Sequence, residues 1–204
     1  MSETTKWKFE NNYIFPVVYD LKDIDKLLGS QFKVIILGRV LNILNIKRIV
    51  NILKVGDKKV LVDIDFIGGL SNDKYAMDFI SKEAQVDGII TTHSDKIIRA
   101  KRENLISILK IFAYDEFSIV SAGKVVNLCN PDIIETLPGI AAPCFINKLR
   151  EYTDIPIDVS GYLGRKLSDI NLLYACGVTA IHTGNHKLWN IECRSDVPPT
   201  FLRK

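Results

Sequence analysis

The chain has 204 residues, 47% of them apolar and 25% charged, with a formal net charge of +3. That length favours one domain with a sizeable core, and the charge permits an anionic partner while lacking the strong basic bias usual in nucleic-acid binders. No apolar stretch reaches the roughly 18 residues of a membrane helix, and Met1 to Phe9, carrying Lys6 and Lys8, lacks the apolar core of a signal peptide. A cytoplasmic location without membrane contact is expected.

After a polar N-terminal extension, residues 1–12, eight β-rich runs follow in chain order: Tyr13 to Tyr19, Lys33 to Leu37, Lys59 to Ile64, Gly88 to Thr91, Ile106 to Phe112, Asp132 to Thr136, Ile155 to Val159 and Thr179 to Thr183. Their roughly even spacing is that of repeated strand-plus-helix units. Runs such as V-I-I-L and D-G-I-I are nearly continuous in apolar character, which favours a parallel sheet covered on both faces. Between them, Leu41 to Val55 is the most apolar predicted helix, stopped by Gly56. Ser71, Ser94 and Ser168 stand where N-caps are expected, and Gly177 follows the last turn of the helix after Ser168. Eight such units, with no linker, low-complexity tract or G-x-G-x-x-G after the first strand, point to a single compact α/β domain: a closed (β/α)8 TIM-type barrel, ending in a tail over residues 190–204.

In that fold the chemistry belongs at the C-terminal ends of the strands. Those positions hold Asp20, Arg39, Asp65, His93, Tyr114 with Asp115, Glu135, Ser160 with Gly161, and Thr183 with Gly184. The loops V-S-G-Y-L-G and I-H-T-G-N-H-K-L-W carry small residues that let backbone N–H groups approach a phosphate, although Gly161 and Gly184 would equally serve tight strand-to-helix turns. Asp65 and Glu135 are candidate anchors for ligand hydroxyls; alternatively, either pairs with Arg39 or Lys110 inside the mouth. For Asp63, one layer deeper, a structural role is favoured. Lys110 admits a Schiff-base role if burial lowers its pKa, but a cation that neutralises a phosphate or Glu135 needs no further machinery and is preferred.

His182 and His186 are four apart, but His182 falls within the last predicted strand, so no two histidines share a helix, and Cys129, Cys144, Cys176 and Cys193 form no C-x-x-C pair. Reduced thiols are expected, with no metal and no cofactor. Lys47-Arg48, Arg99 to Arg102, Arg165-Lys166 and Arg203-Lys204 read as solvated helix faces or as parts of an electrostatic patch. Leu41 to Val55 and Val197 to Lys204 are candidates for homo-oligomer contacts, though packing on the barrel is the commoner use of such segments.

The segments V-D-I-D-F-I-G-G-L-S-N-D-K-Y, D-G-I-I-T-T-H-S-D-K-I-I-R-A-K, P-D-I-I-E-T-L-P-G and N-H-K-L-W resemble, in order and spacing, the glycerol-3-phosphate-responsive antiterminators of glycerol uptake operons. With intervening similarity the resemblance runs from about Phe15 to Trp189. It implies a TIM-like barrel that binds glycerol 3-phosphate, or a similar small phosphorylated metabolite, and acts on the leader mRNA of a glycerol-utilisation operon: a transcription regulator rather than an enzyme. Carried over by position, Asp65, Glu135, Ser160, Gly161, Thr183 and Gly184 line the ligand site, with Lys110 nearby and Asn185 in the last loop. Asp63, His93, Leu109-Lys110 and Ser160-Gly161 stand where the family usually has His, Arg, Gln-Arg and Gly-Gly, which makes the mouth less cationic. The alternative from a different class is a phosphosugar isomerase or lyase using Lys110 with Asp65 or Glu135 as general base.

Overall fold

The β-branched runs form strands whose side chains alternate between the barrel interior and the surrounding helices, so both faces demand apolar residues. In the computed structural model, which describes residues 14–163 and 167–189, the elements are β1 (Ile14–Val18), α1 (Asp23–Leu28), β2 (Val34–Leu37), α2 (Ile46–Val55), β3 (Lys59–Asp63), α3 (Lys74–Asp78), β4 (Gly88–Thr91), α4 (Ser94–Arg102), β5 (Ile106–Phe112), α5 (Glu116–Cys129), β6 (Ile133–Leu137), α6 (Ala142–Arg150), β7 (Ile157–Ser160), α7 (Leu167–Ala175), β8 (Ile181–Thr183) and α8 (His186–Trp189). Every strand pairs in parallel with its neighbour in sequence, and β8 pairs with β1, closing the barrel. The expected extension 1–12, the tail 190–204, Tyr13, Cys193, Arg165-Lys166 and the Val197 to Lys204 segment lie outside the described residues.

The alternation sorts the core into three groups. Phe15, Val34, Ile36, Leu61, Ile106, Ile108, Ile133 and Ala180 fill the lumen as one cluster. The opposite faces of β2 to β4 pack under α2 and α3, and those of β5 to β8 under α4 to α7. On α2, the buried residues are Ile46, Ile49, Val50 and Leu53, an i, i+3, i+4, i+7 stripe turned onto the barrel. Each fully buried aliphatic side chain contributes roughly 1.5–3 kcal/mol.

Several boundaries differ from the sequence expectation for local reasons. The helix expected from Leu41 begins at Ile46, because Asn42 Oδ1 accepts from the backbone N–H of Leu44 and Asn45 and so offers that backbone an alternative to helix. The freed segment instead bridges to Gly68 after β3, joining the second and third rim loops. Asp73, rather than Ser71, caps α3 by accepting from Tyr75 and Ala76 N–H. His93 occupies the cap of α4, with Ser94 its first residue. α7 starts one residue before Ser168, and Gly177 follows it at φ 97°. No helix among the described residues is long and apolar enough to cross a membrane.

Candidate functional site

Continuing the inward period of two toward the C-terminal ends replaces apolar residues by charged ones. Leu61 is followed by Asp63, Ile108 by Lys110, Ile133 by Glu135 and Ala180 by His182, while β7 contributes Asp158. Lys110 lies opposite Glu135 in register, and Glu135 opposite Asp158. Lys110 Nζ is ion-paired with Asp63 Oδ2. His182 sits between two carboxylates, with Nδ1 2.9 Å from Glu135 Oε1 and Nε2 3.1 Å from Asp158 Oδ2. The Phe15 ring stacks on the imidazole at 5.4 Å between centroids.

Both nitrogens of His182 therefore face acceptors, an arrangement satisfied by the doubly protonated ring. Burial opposes that charge, but Glu135 and Asp158 hold the pKa of His182 up at about 9. Burial likewise pushes Glu135 up, yet His182 and Lys110 bring it below the usual carboxylate range. Asp63 goes the other way: burial, joined by the charges of Glu135 and Asp65, raises it against the pull of Lys110. Asp63 Oδ1, Glu135 Oε2 and Asp158 Oδ1 are buried without a hydrogen-bond partner among the described residues. Unmet acceptors of this kind cost stability, and several in one place mark a functional site more readily than a structural one.

Above this network opens a cavity of about 120 Å³. Asp63, Lys110, Glu135 and Ser160 form its polar floor and side, and Tyr19, Arg39, Phe66 and Phe112 its outer wall. Arg39 lies 4.1 Å over the Phe66 ring and Lys110 lies 5.2 Å from the same ring. The Tyr19 hydroxyl is raised in pKa by burial and by the charges of Glu135 and Asp63. A polar depression of about 210 Å³, lined by Lys54, Lys58, Lys59, Asp57 and Asp87, lies among the loops that precede the strands and is partly closed by its own ion pairs. No group of three or more His, Cys, Asp or Glu among the described residues could hold a metal ion.

Of the residues singled out in the sequence, Lys110, Glu135 and Ser160 come together at this cavity. Asp65 does not: the strand ends at Asp63, and the 3-10 turn Ile64–Phe66 carries Asp65 away from the lumen. There it accepts from Thr91 Oγ1 at 2.6 Å and from Thr92 N and Oγ1 at 2.8 and 3.0 Å, with Lys96 at 3.6 Å. Burial raises its pKa, but these donors outweigh it and hold the carboxylate low. Gly161 follows Ser160 in a left-handed turn at φ 66°, and its carbonyl accepts from Gly139 N–H. Thr183, Gly184 and Asn185 do not line the cavity, and Gly184 lies against Tyr19. Thr183 Oγ1 accepts from Asn185 N–H, and its carbonyl accepts from the Trp189 indole at 2.8 Å. A Cβ on Gly184 would lie 2.5 Å from the Tyr19 ring, and one on Gly38 2.7 Å from it, so these two glycines form a slot for Tyr19.

Sequence reasoning left Asp158 and His182 out of the site and gave Asp63 a structural role. The signal that could have found them is the strand period, which puts Asp63 on the face of Leu61 and His182 on that of Ala180.

The model of the family described as glycerol-3-phosphate responsive antiterminator matches residues 14–189. The Escherichia coli protein YgcP is 30% identical over 182 residues, spanning 88% of this chain and 93% of its own. The crystal structure of the glycerol uptake operon antiterminator regulatory protein of Listeria monocytogenes is similar at TM-score 0.84 and 32% identity, covering 90% of this chain and 98% of that one. A glycerol uptake operon antiterminator-related protein of Thermotoga maritima is similar at TM-score 0.78 and 27% identity, covering 89% and 100%. On the match across nearly the whole barrel, the chain belongs to the glycerol-3-phosphate responsive antiterminator family.

Proposed function

We propose that this protein is a ligand-responsive antiterminator that binds glycerol 3-phosphate, or a similar small phosphorylated metabolite, at the barrel mouth and acts through leader RNA on a glycerol-utilisation operon. Besides family membership, the observation that carries this reading is the make-up of the mouth cavity. It combines two cations, Arg39 and Lys110, with Asp63 and Glu135, each of which has one oxygen without a donor among the described residues. A phosphate dianion would meet Arg39 and Lys110, and the hydroxyls of a short polyol would donate to Glu135 and Asp63. A phosphate near Lys110 would compete with Asp63 for the ammonium, so occupancy would rearrange the network rather than fill a passive hole. The same ion pair argues against the isomerase or lyase alternative in its Schiff-base form, because a lysine engaged by a carboxylate is not the free amine such a nucleophile requires.

A ligand shifts a regulator only by its differential affinity for the two states, so RNA affinity must depend on ligand. Filter binding of a glycerol-operon leader RNA, with and without glycerol 3-phosphate, tests this. The expected result is a ligand-dependent change in affinity; no RNA binding in either condition would overturn the reading.

A further inference from the structure

Every exposed aromatic side chain among the described residues lies between the C-terminal end of a strand and the first turn of the next helix. Tyr19 is 61% exposed, Phe66 42%, Phe112 41% and Tyr114 79%, and Tyr75, Phe117 and Tyr162 complete the set. Isolated exposed apolar residues are ordinary, but here none lies on the outer helix faces or at the opposite end of the barrel. Tyr19, Phe66 and Phe112 border one opening, and Tyr114 stacks on Phe112 at 6.0 Å with only 10° between the planes.

The charges of this rim are arranged asymmetrically. Several of its carboxylates are engaged internally: Asp20 accepts from Lys22 N–H, Asp65 from Thr91 and Thr92, Asp73 from Tyr75 and Ala76, and Asp115 from Ser118. Arg39 and Lys74 form no ion pair among the described residues and lie over aromatic rings, Arg39 on Phe66 and Lys74 on Tyr75 at 5.0 Å. Exposed rings beside cations that form no ion pair among the described residues suit a flexible polyanion with stackable bases.

We propose that this aromatic collar is a stacking platform for single-stranded RNA, so that RNA bases and the small ligand meet at Arg39 and Phe66. The proposal rests on the antiterminator reading above and deepens it by giving that reading a surface and a point of coupling. Phe66 is held between Arg39 on the rim and Lys110 in the lumen. An anion that draws either cation into the cavity changes the face Phe66 presents to a base. Ligand and RNA then communicate through one side chain, without a long-range change in the barrel.

The test uses the full chain and a glycerol-operon leader RNA carrying 4-thiouridine, photo-cross-linked and mapped by mass spectrometry, together with RNA affinities of variants. Tyr114 lies outside the ligand cavity, so Tyr114→Ala should weaken RNA binding about tenfold or more while keeping the thermal shift caused by glycerol 3-phosphate. Tyr114→Phe, which keeps the ring, should restore affinity. Cross-links should fall on Tyr19, Phe66, Phe112 or Tyr114. RNA binding that survives Tyr114→Ala, with cross-links on the outer faces of α2 and α4 around Lys47-Arg48 or Lys101-Arg102, would overturn the collar and leave the antiterminator reading standing. Failure of the unmodified protein to bind the RNA in either ligand condition would overturn both.

Discussion

The lower and upper halves of the lumen are built from the same strands with the same inward period, yet they are made of opposite materials. Below, Phe15, Leu61, Ile106, Ile108, Ile133 and Ala180 exclude water and need nothing from one another but volume. Above, Asp63, Lys110, Glu135, Asp158 and His182 can be buried only because each charge has a partner, and three of their oxygens still lack one among the described residues. A barrel needs the first kind of layer to stand. The second costs desolvation that apolar residues would avoid, so its retention points to what the mouth binds.

The contrast can be broken from either side. The largest effect is expected from His182→Leu, which leaves Glu135 and Asp158 buried without their shared cation and should cost about 3–5 kcal/mol, read from urea unfolding. Ile108→Ala, in the apolar half, should cost about 2–5 kcal/mol by leaving a cavity. Its profile of stability against pH should keep the unmodified protein's shape, displaced downward.

That profile should itself slope. The folded state holds His182 at about 9 against an ordinary 6.5, so its stabilising contribution is complete below pH 6.5 and is lost as pH rises through 9. The loss is on the order of 3 kcal/mol. Unfolding measured from pH 6 to 10 checks this: the decline should be present in Ile108→Ala as in the unmodified protein. A flat profile in the unmodified protein would mean that His182 is not charged. Smaller still, Gly184→Ala should displace Tyr19 from its slot and cost about 1–3 kcal/mol, visible as a change in unfolding midpoint.

The lower half was the more legible in sequence. Gly88 to Thr91 and Ile106 to Phe112 are strands with the expected bounds, because a continuous β-branched run has no other economical place in a small barrel. The eight-fold repeat carried the closure with it. The upper half was only partly readable. Period two assigns a residue to the lumen but does not say what stands across it, and Asp63–Lys110 and Glu135–His182 each join residues 47 apart in the chain. Asp65 was drawn off the period by a 3-10 turn that no strand signal announces. Gly184, read as room for a phosphate or as a tight turn, also has a packing reason in the ring of Tyr19, which arrives from the far end of the sequence.

The central claim is that the charged half of the lumen and the mouth above it hold a small anionic ligand. Thermal unfolding with glycerol 3-phosphate tests it most directly, comparing the unmodified protein with Arg39→Gln, a change to an exposed side chain that should leave the fold intact. At 100 times its dissociation constant the ligand should stabilise the unmodified protein by about 2.7 kcal/mol, a rise of roughly 5–11 °C, and should lose most of that effect in the variant. An equal rise in both, or none in either, would contradict the account.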